Sequence, residues 1–92
     1  MSRTVVLTAV LMIPRLWAYD TIDLVLLDGA KPLYPKVLSL IETHLRIGAL
    51  IVADNADWCP DYLARVRSPA GGYLSVPFAA DVELSMKLGP SN

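Results

Sequence analysis

The chain has 92 residues, of which 54% are hydrophobic and 18% charged, and its net charge is −1. That length allows one small domain, and the apolar content exceeds that of an average soluble domain, so apolar area meant for a partner is expected. There is no basic run to track phosphates, which argues against nucleic acid, and a lone Cys59 excludes an internal disulfide and fits a reducing, cytoplasmic setting.

Residues 1–21 come first and are the hardest to read. Thr4 to Ile13 is an apolar run behind Arg3 and before Pro14. It is too short to span a bilayer. An Arg followed by such a run imitates a secretory signal, but Arg15 and Trp17 follow, and no small-residue cleavage site does. A core strand or helix is the expectation. A membrane-associated or secreted small protein led by residues 4–13 is the alternative.

Residues 22–55 carry the clearest pattern. DLVLLD (23–28) and LIVADN (50–55) are short aliphatic runs that end in acidic residues, as strands buried on both faces do. Between them Tyr34, Val37, Leu38, Ile41 and Leu45 share a helical face. Pro35 suits the first turn of that helix, and Gly48 the residue just past its end. Gly29, Ala30, Lys31 and Pro32 make the turn before it. Lys36 and Glu42 fall on its exposed face, and His44 near its C-terminus, where a cation is mildly favoured. Strand, helix and strand make a βαβ unit with parallel strands. Asp28 and Asp54 then share the carboxyl edge of the sheet, where open α/β sheets bind ligands.

Residues 56–72 connect. A short helix is predicted over Asp61–Val66, broken by Ser68, Pro69, Gly71 and Gly72. Trp58 and Tyr62 follow closely on Asp54 and Asn55, and either line a pocket or pack a surface helix. Cys59 reads as a small buried residue rather than a nucleophile. YLSVPF (73–78) and VELSMKL (82–88) read as an antiparallel pair, with Pro77 marking an edge or a bulge. The second run alternates strictly, with Val82, Leu84, Met86 and Leu88 on one face and Glu83, Ser85 and Lys87 on the other. Residues 90–92 are a tail.

DLVLLDGAK followed by GALIVADN resembles the class I S-adenosylmethionine-dependent O-methyltransferases, the group that includes the catechol and caffeoyl-CoA enzymes. The resemblance runs from about Asp23 to Gly89. It implies an α/β fold: part of a Rossmann-like methyltransferase sheet, in which a βαβ unit precedes a short helix and a C-terminal antiparallel hairpin. It further implies that Asp28, Asp54 and Asn55 hold Mg²⁺ or a similar divalent cation and that Lys31 acts as general base. Trp58 and Tyr62 would line the site of a small hydroxyl-bearing substrate. From the residues alone, Asp28 and Asp54-Asn55 read equally as turn and helix caps, and Lys31 as a solvated lysine.

The same resemblance sets an expectation about what is missing. The family binds S-adenosylmethionine through an earlier half with a glycine-rich turn, and none of the five glycines here lies in such a turn. Residues 22–89 therefore resemble the C-terminal half only, and residues 1–21 match nothing expected before it, as a displaced start or shifted reading frame would produce. Such a fragment is expected to bind no S-adenosylmethionine and to be inactive alone. A non-catalytic oligomerisation module derived from a methyltransferase is an alternative. The Leu24–Leu27 strand would be an open edge seeking a neighbour. That neighbour is either the chain's own Thr4–Ile13 or a second copy, so a homo-oligomer or a separate N-terminal half is the expected partner.

Overall fold

The two aliphatic runs form neighbouring parallel strands, as their composition demands. The computed structural model describes residues 4–7, 22–29 and 31–89, with residues 4–7 and Lys31 described by backbone alone. Strand β1 is Thr4–Leu7, β2 is Ile22–Leu27 and β3 is Leu45–Ala53. Helix α1, Tyr34–Ile41, joins β2 to β3. Helix α2, Pro60–Arg67, leads from β3 to a hairpin of β4, Tyr73–Ala79, and β5, Val82–Lys87. The strands form one sheet in the order β1-β2-β3-β5-β4. The first three run parallel, and β5 is antiparallel to both β3 and β4. The expected mixed α/β architecture is therefore present. Pro77 lies on the edge strand next to a register shift, as its missing N–H requires.

The chain's own N-terminus supplies the neighbour that β2 needed. β1 pairs with it in register from Thr4↔Leu24 to Leu7↔Leu27, so β2 is internal. The rest of the apolar N-terminal run lies outside the described residues. Among those described, no helix is long and apolar enough to cross a membrane.

Helix α1 buries Tyr34, Val37, Leu38 and Ile41, the face that the spacing predicted, with Pro35 in its first turn. Its end differs from the prediction. The helix stops at Ile41, a 3-10 turn covers Glu42–His44, and Leu45 is already extended. Gly48 is not a helix cap. It lies within β3 at φ +90°, where three residues of β2, Ile22 to Leu24, span the register of six of β3, Leu45 to Leu50. A glycine with positive φ serves a helix end or a strand bulge equally well, and sequence spacing does not separate the two. Glu42 is also not on an exposed face. Its carboxylate accepts bonds from Arg65 Nη2 at 2.5 Å and Tyr73 Oη at 3.0 Å, with Lys87 Nζ 4.0 Å away.

Both helices cover one face of the sheet. Val25, Leu27, Ile51 and Ala53 point into that face and pack with Val37, Leu38, Tyr62 and Val66. The register extends this face across β5, where Ile51 opposes Ser85 and Ala53 opposes Glu83. The polar side of β5 is consequently the buried one: Glu83, Ser85 and Lys87 are all nearly inaccessible. Glu83 and Ser85 are hydrogen-bonded there. Arg67 forks onto Glu83 at 2.8 and 2.6 Å, and Ser75 Oγ lies 2.7 Å from Glu83 and 2.6 Å from Ser85. The Lys87 ammonium sits 5.0 Å from the centre of the Tyr73 ring.

The opposite face carries two aliphatic rows. Leu24, Leu50, Met86 and Leu74 form one, and Leu26, Val52, Leu84 and Val76 the other. None of the eight is buried, and no described element covers them. Among the described residues the helices lie on the other face only.

Candidate functional site

The carboxyl ends of β2 and β3 are locked side by side. Leu27 opposes Ala53, and the Asp54 N–H donates to the Leu27 carbonyl at 2.9 Å. Asp28 and Asp54 are the next residues on each strand, so the topology brings them to one edge. Tyr34 stitches that edge from below. Its hydroxyl lies 3.1 Å from the Leu27 carbonyl and 3.0 Å from the Asp54 carbonyl, and accepts from the Gly29 N–H at 3.3 Å. One side chain from the first turn of α1 thus holds both strand ends and the start of the turn between them.

Asp28 is exposed, and Asp54 and Asn55 are half-buried. Asn55 adopts left-handed backbone angles, φ 54° and ψ 38°, a conformation that asparagine tolerates because its short polar side chain can bond locally. The Asn55 N–H donates to Asp54 Oδ1 at 3.1 Å. The Asn55 side-chain Nδ2 donates to Asp81 Oδ2 at 2.6 Å, and the neighbouring Ala56 N–H donates to the Asp81 carbonyl at 2.7 Å. Neither the 3-10 turn Ala56–Trp58 nor α2 has a side-chain cap, so Asp54 and Asn55 do not serve the helix-capping role that their position allowed.

Lys31 opens the 3-10 turn Lys31–Leu33, three residues after Asp28. Trp58 is 75% exposed and, with Gly29, Pro32 and Asn55, lines an open recess of about 570 Å³ at this edge. Tyr62 is fully buried and is not on the recess wall. It packs edge-on against Tyr34, with centroids 5.7 Å apart and planes at 77°. Its hydroxyl has no hydrogen-bond partner among the described residues, and burial pushes its pKa well above the ordinary tyrosine value. Tyr62 therefore reaches the site only through Tyr34. Cys59 is buried as a free thiol.

Two carboxylates and one amide oxygen come from adjacent strand ends, with Asp28 making no hydrogen bond among the described residues. Mg²⁺ binds through few carboxylates and several waters. No group of three or more His, Cys, Asp or Glu among the described residues is placed to hold a metal.

Two residues that position this edge were not legible in advance. Tyr34 read as one more core residue of a helical face, which it also is. Asp81 falls between the two predicted strands, 73–78 and 82–88, where no pattern marks it.

No protein-family model matches the sequence, and neither does any curated protein. Among solved structures, the chain is similar to a methyltransferase from Geobacter sulfurreducens, with a TM-score of 0.64 and 19% identity. The match covers 84% of this chain and 41% of that one. At such identity the likeness establishes a shared methyltransferase-type fold, of which this chain spans about two fifths of the neighbour's length.

Proposed function

We propose that this chain is the acceptor-side portion of a metal-assisted O-methyltransferase that uses S-adenosylmethionine. One observation carries the reading. Asp28 and the Asp54–Asn55 pair follow directly on two neighbouring parallel strands, at the edge where Asn55 and Trp58 line a recess, in a fold shared with a methyltransferase.

In this reading Asp28, Asp54 and Asn55 hold Mg²⁺ or a similar cation. When bound, that cation would supply Lewis-acid chemistry that lowers the pKa of the acceptor's hydroxyl. Lys31, on the turn that leaves Asp28, takes the hydroxyl proton as general base. S-adenosylmethionine, held by a complementary half, would supply the methyl group to that oxygen, its C–S bond breaking with the electron pair left on sulfur as the O–C bond forms. The rest is positioning. Trp58 offers a flat apolar wall to an aromatic acceptor. Tyr62 backs Tyr34, which fixes the two strand ends. The methyl donor needs a glycine-rich turn that this chain lacks, so the chain alone is proposed to bind no S-adenosylmethionine and to be inactive without a complementary half. The free, buried Cys59 fits a cytoplasmic setting.

A second reading is favoured by the open apolar face of the sheet. That face supports association, either with another copy as an oligomerisation module or with a chain that completes the sheet's covering.

Thermal unfolding tests the first reading. A ligand that binds only the folded state stabilises it by about 1.4 kcal/mol at ten times its Kd, which raises the midpoint by roughly 6 to 11 °C in a domain this small. Mg²⁺ or Mn²⁺ is expected to produce that rise, and Asp54→Ala to abolish it. Calorimetry with S-adenosylmethionine is expected to show no heat of binding. No shift with millimolar metal in the wild type refutes the metal site.

A further inference from the structure

Among the described residues, helices cover the sheet on one side only. Its other side presents two aliphatic rows across β2, β3, β5 and β4, with no charged or polar side chain in either. Leu50 is 37% exposed there, Val76 46% and Leu74 55%. Leu88, two residues beyond Met86 on the same side, is 51% exposed. With their half-covered neighbours these leave roughly 500 Å² of apolar surface open, in the range of the largest patch on a typical monomer.

The topology routes the rest of the chain elsewhere. Residues 8–21 link β1 to β2 in the same direction across the sheet as α1 links β2 to β3. Crossings between parallel strands are right-handed. Two of them running the same way fall on one face, the one that α1 occupies. Residues 1–3, 30 and 90–92 are too few to cover four strands. Extension of the sheet at β4 is also hindered. The Leu88 N–H donates to the Gly72 carbonyl at 2.8 Å, and bonded pairs alternate along an antiparallel ladder. Gly72, Leu74 and Val76 therefore bond inward to β5, which leaves Tyr73, Ser75 and Pro77 facing the open edge. Pro77 has no N–H to give there.

We propose that this aliphatic face pairs with the same face of a second copy across a two-fold axis. The proposal rests on the association reading above and narrows it to one partner and one surface. A surface without charge has nothing to repel its own image, and two-fold packing uses one patch twice. Two copies bury about 1,000 Å² in total, the lower limit for a specific interface, so the dimer dissociates in the micromolar range.

The experiment uses the full chain with two readouts. Sedimentation velocity from about 1 to 500 µM reads the mass across the expected range of affinity. Methyl NMR over the same dilution reads which side chains sense the partner. Expected is a rise from monomer to dimer with no further growth. Methyl signals of Leu50, Leu74 and Leu84 should shift with concentration, and those of Val37 and Leu38 should not. Leu74→Lys should weaken association at least tenfold while the chain stays folded. A wild type that remains a monomer at high micromolar concentration overturns the proposal and leaves the face for a different chain. A dimer whose shifts lie elsewhere, a dimer that Leu74→Lys leaves intact, or open-ended growth overturns it as well. None of these outcomes alters the Mg²⁺ response, so this proposal and the metal reading fail separately.

Discussion

Replacing Arg67 with methionine leaves the Glu83 carboxylate almost inaccessible and with one bond, from Ser75 at 2.7 Å, where it now has three. Removing one partner of a buried ion pair costs about 3 to 5 kcal/mol. The low end applies here, because the Arg67 side chain is 43% accessible and water can follow it out. About 3 kcal/mol corresponds to a fall of roughly 12 to 24 °C in the midpoint of a domain this size. The opposite change, Glu83→Gln, should cost only about 1 kcal/mol, since the stranded guanidinium can turn to solvent. A double variant, Arg67→Met with Glu83→Leu, should recover part of the loss, since it strands no buried charge. The pH dependence has a definite sign. The Arg67 bonds, opposed by desolvation and aided by Ser75, hold Glu83 below the usual carboxylate range. A depressed carboxylate gives its full stabilisation above its unfolded value of 4.5, and loses it as pH falls through the lower folded value. In Arg67→Met the carboxylate is unpaired, so acidification relieves the strain instead. The gap between variant and wild type should therefore narrow from pH 7 to pH 4. Urea unfolding followed by circular dichroism measures both. A cost below about 0.5 kcal/mol at pH 7, the level of a neutral surface change, or a gap that widens on acidification, would refute the reasoning.

The glycines separate two kinds of cost. A Cβ at Gly48 meets nothing within 4 Å, so Gly48→Ala should lose only the backbone preference, about 1–2 kcal/mol. A Cβ at Gly71 would sit 2.6 Å from the Arg65 carbonyl oxygen, so Gly71→Ala should cost more, about 2–3 kcal/mol, and a midpoint at or above the wild type would contradict that. On the open face, Leu74→Lys should reduce association seen by light scattering while shifting the midpoint by only a few degrees, because Leu74 is 55% exposed. A charge at fully buried Val25 would instead unfold the chain, and a wild type that stays monomeric at high micromolar concentration would remove the case for association.

The parallel strands and α1 were legible because their signals are redundant. β2 and β3 are aliphatic for several residues, and Tyr34, Val37, Leu38 and Ile41 repeat at helical spacing. The meeting of Asp28 and Asp54 follows from that topology without any side-chain knowledge. What was not legible involves long-range partners. Glu42 looks solvated until Arg65, Tyr73 and Lys87 arrive from α2, β4 and β5. Gly48 fits two backbone roles, and only pairing with β2 chooses one. The strict alternation of β5 locates a strand but does not say which side is covered, and here the helices cover the polar side. The Asp81 contact spans from one strand end to a distant hairpin, a relation that no local pattern encodes.

The buried polar row of β5 has a consequence for how the hairpin finds its alignment. A strand slipped by one residue exchanges its two faces. For most half-covered sheets, collapse of apolar residues onto the core rejects that slip. Here collapse favours it, since the slipped strand would bring Leu84 and Met86 under the helices. The pairing of Glu83 with Arg67 and of Ser75 with Ser85 opposes that outcome, and Arg67 is the last residue of α2. Correct alignment of the hairpin thus depends on α2 being docked. Strand β5, between β3 and the edge strand β4, is held in register by hydrogen bonds to a helix rather than by its apolar side chains.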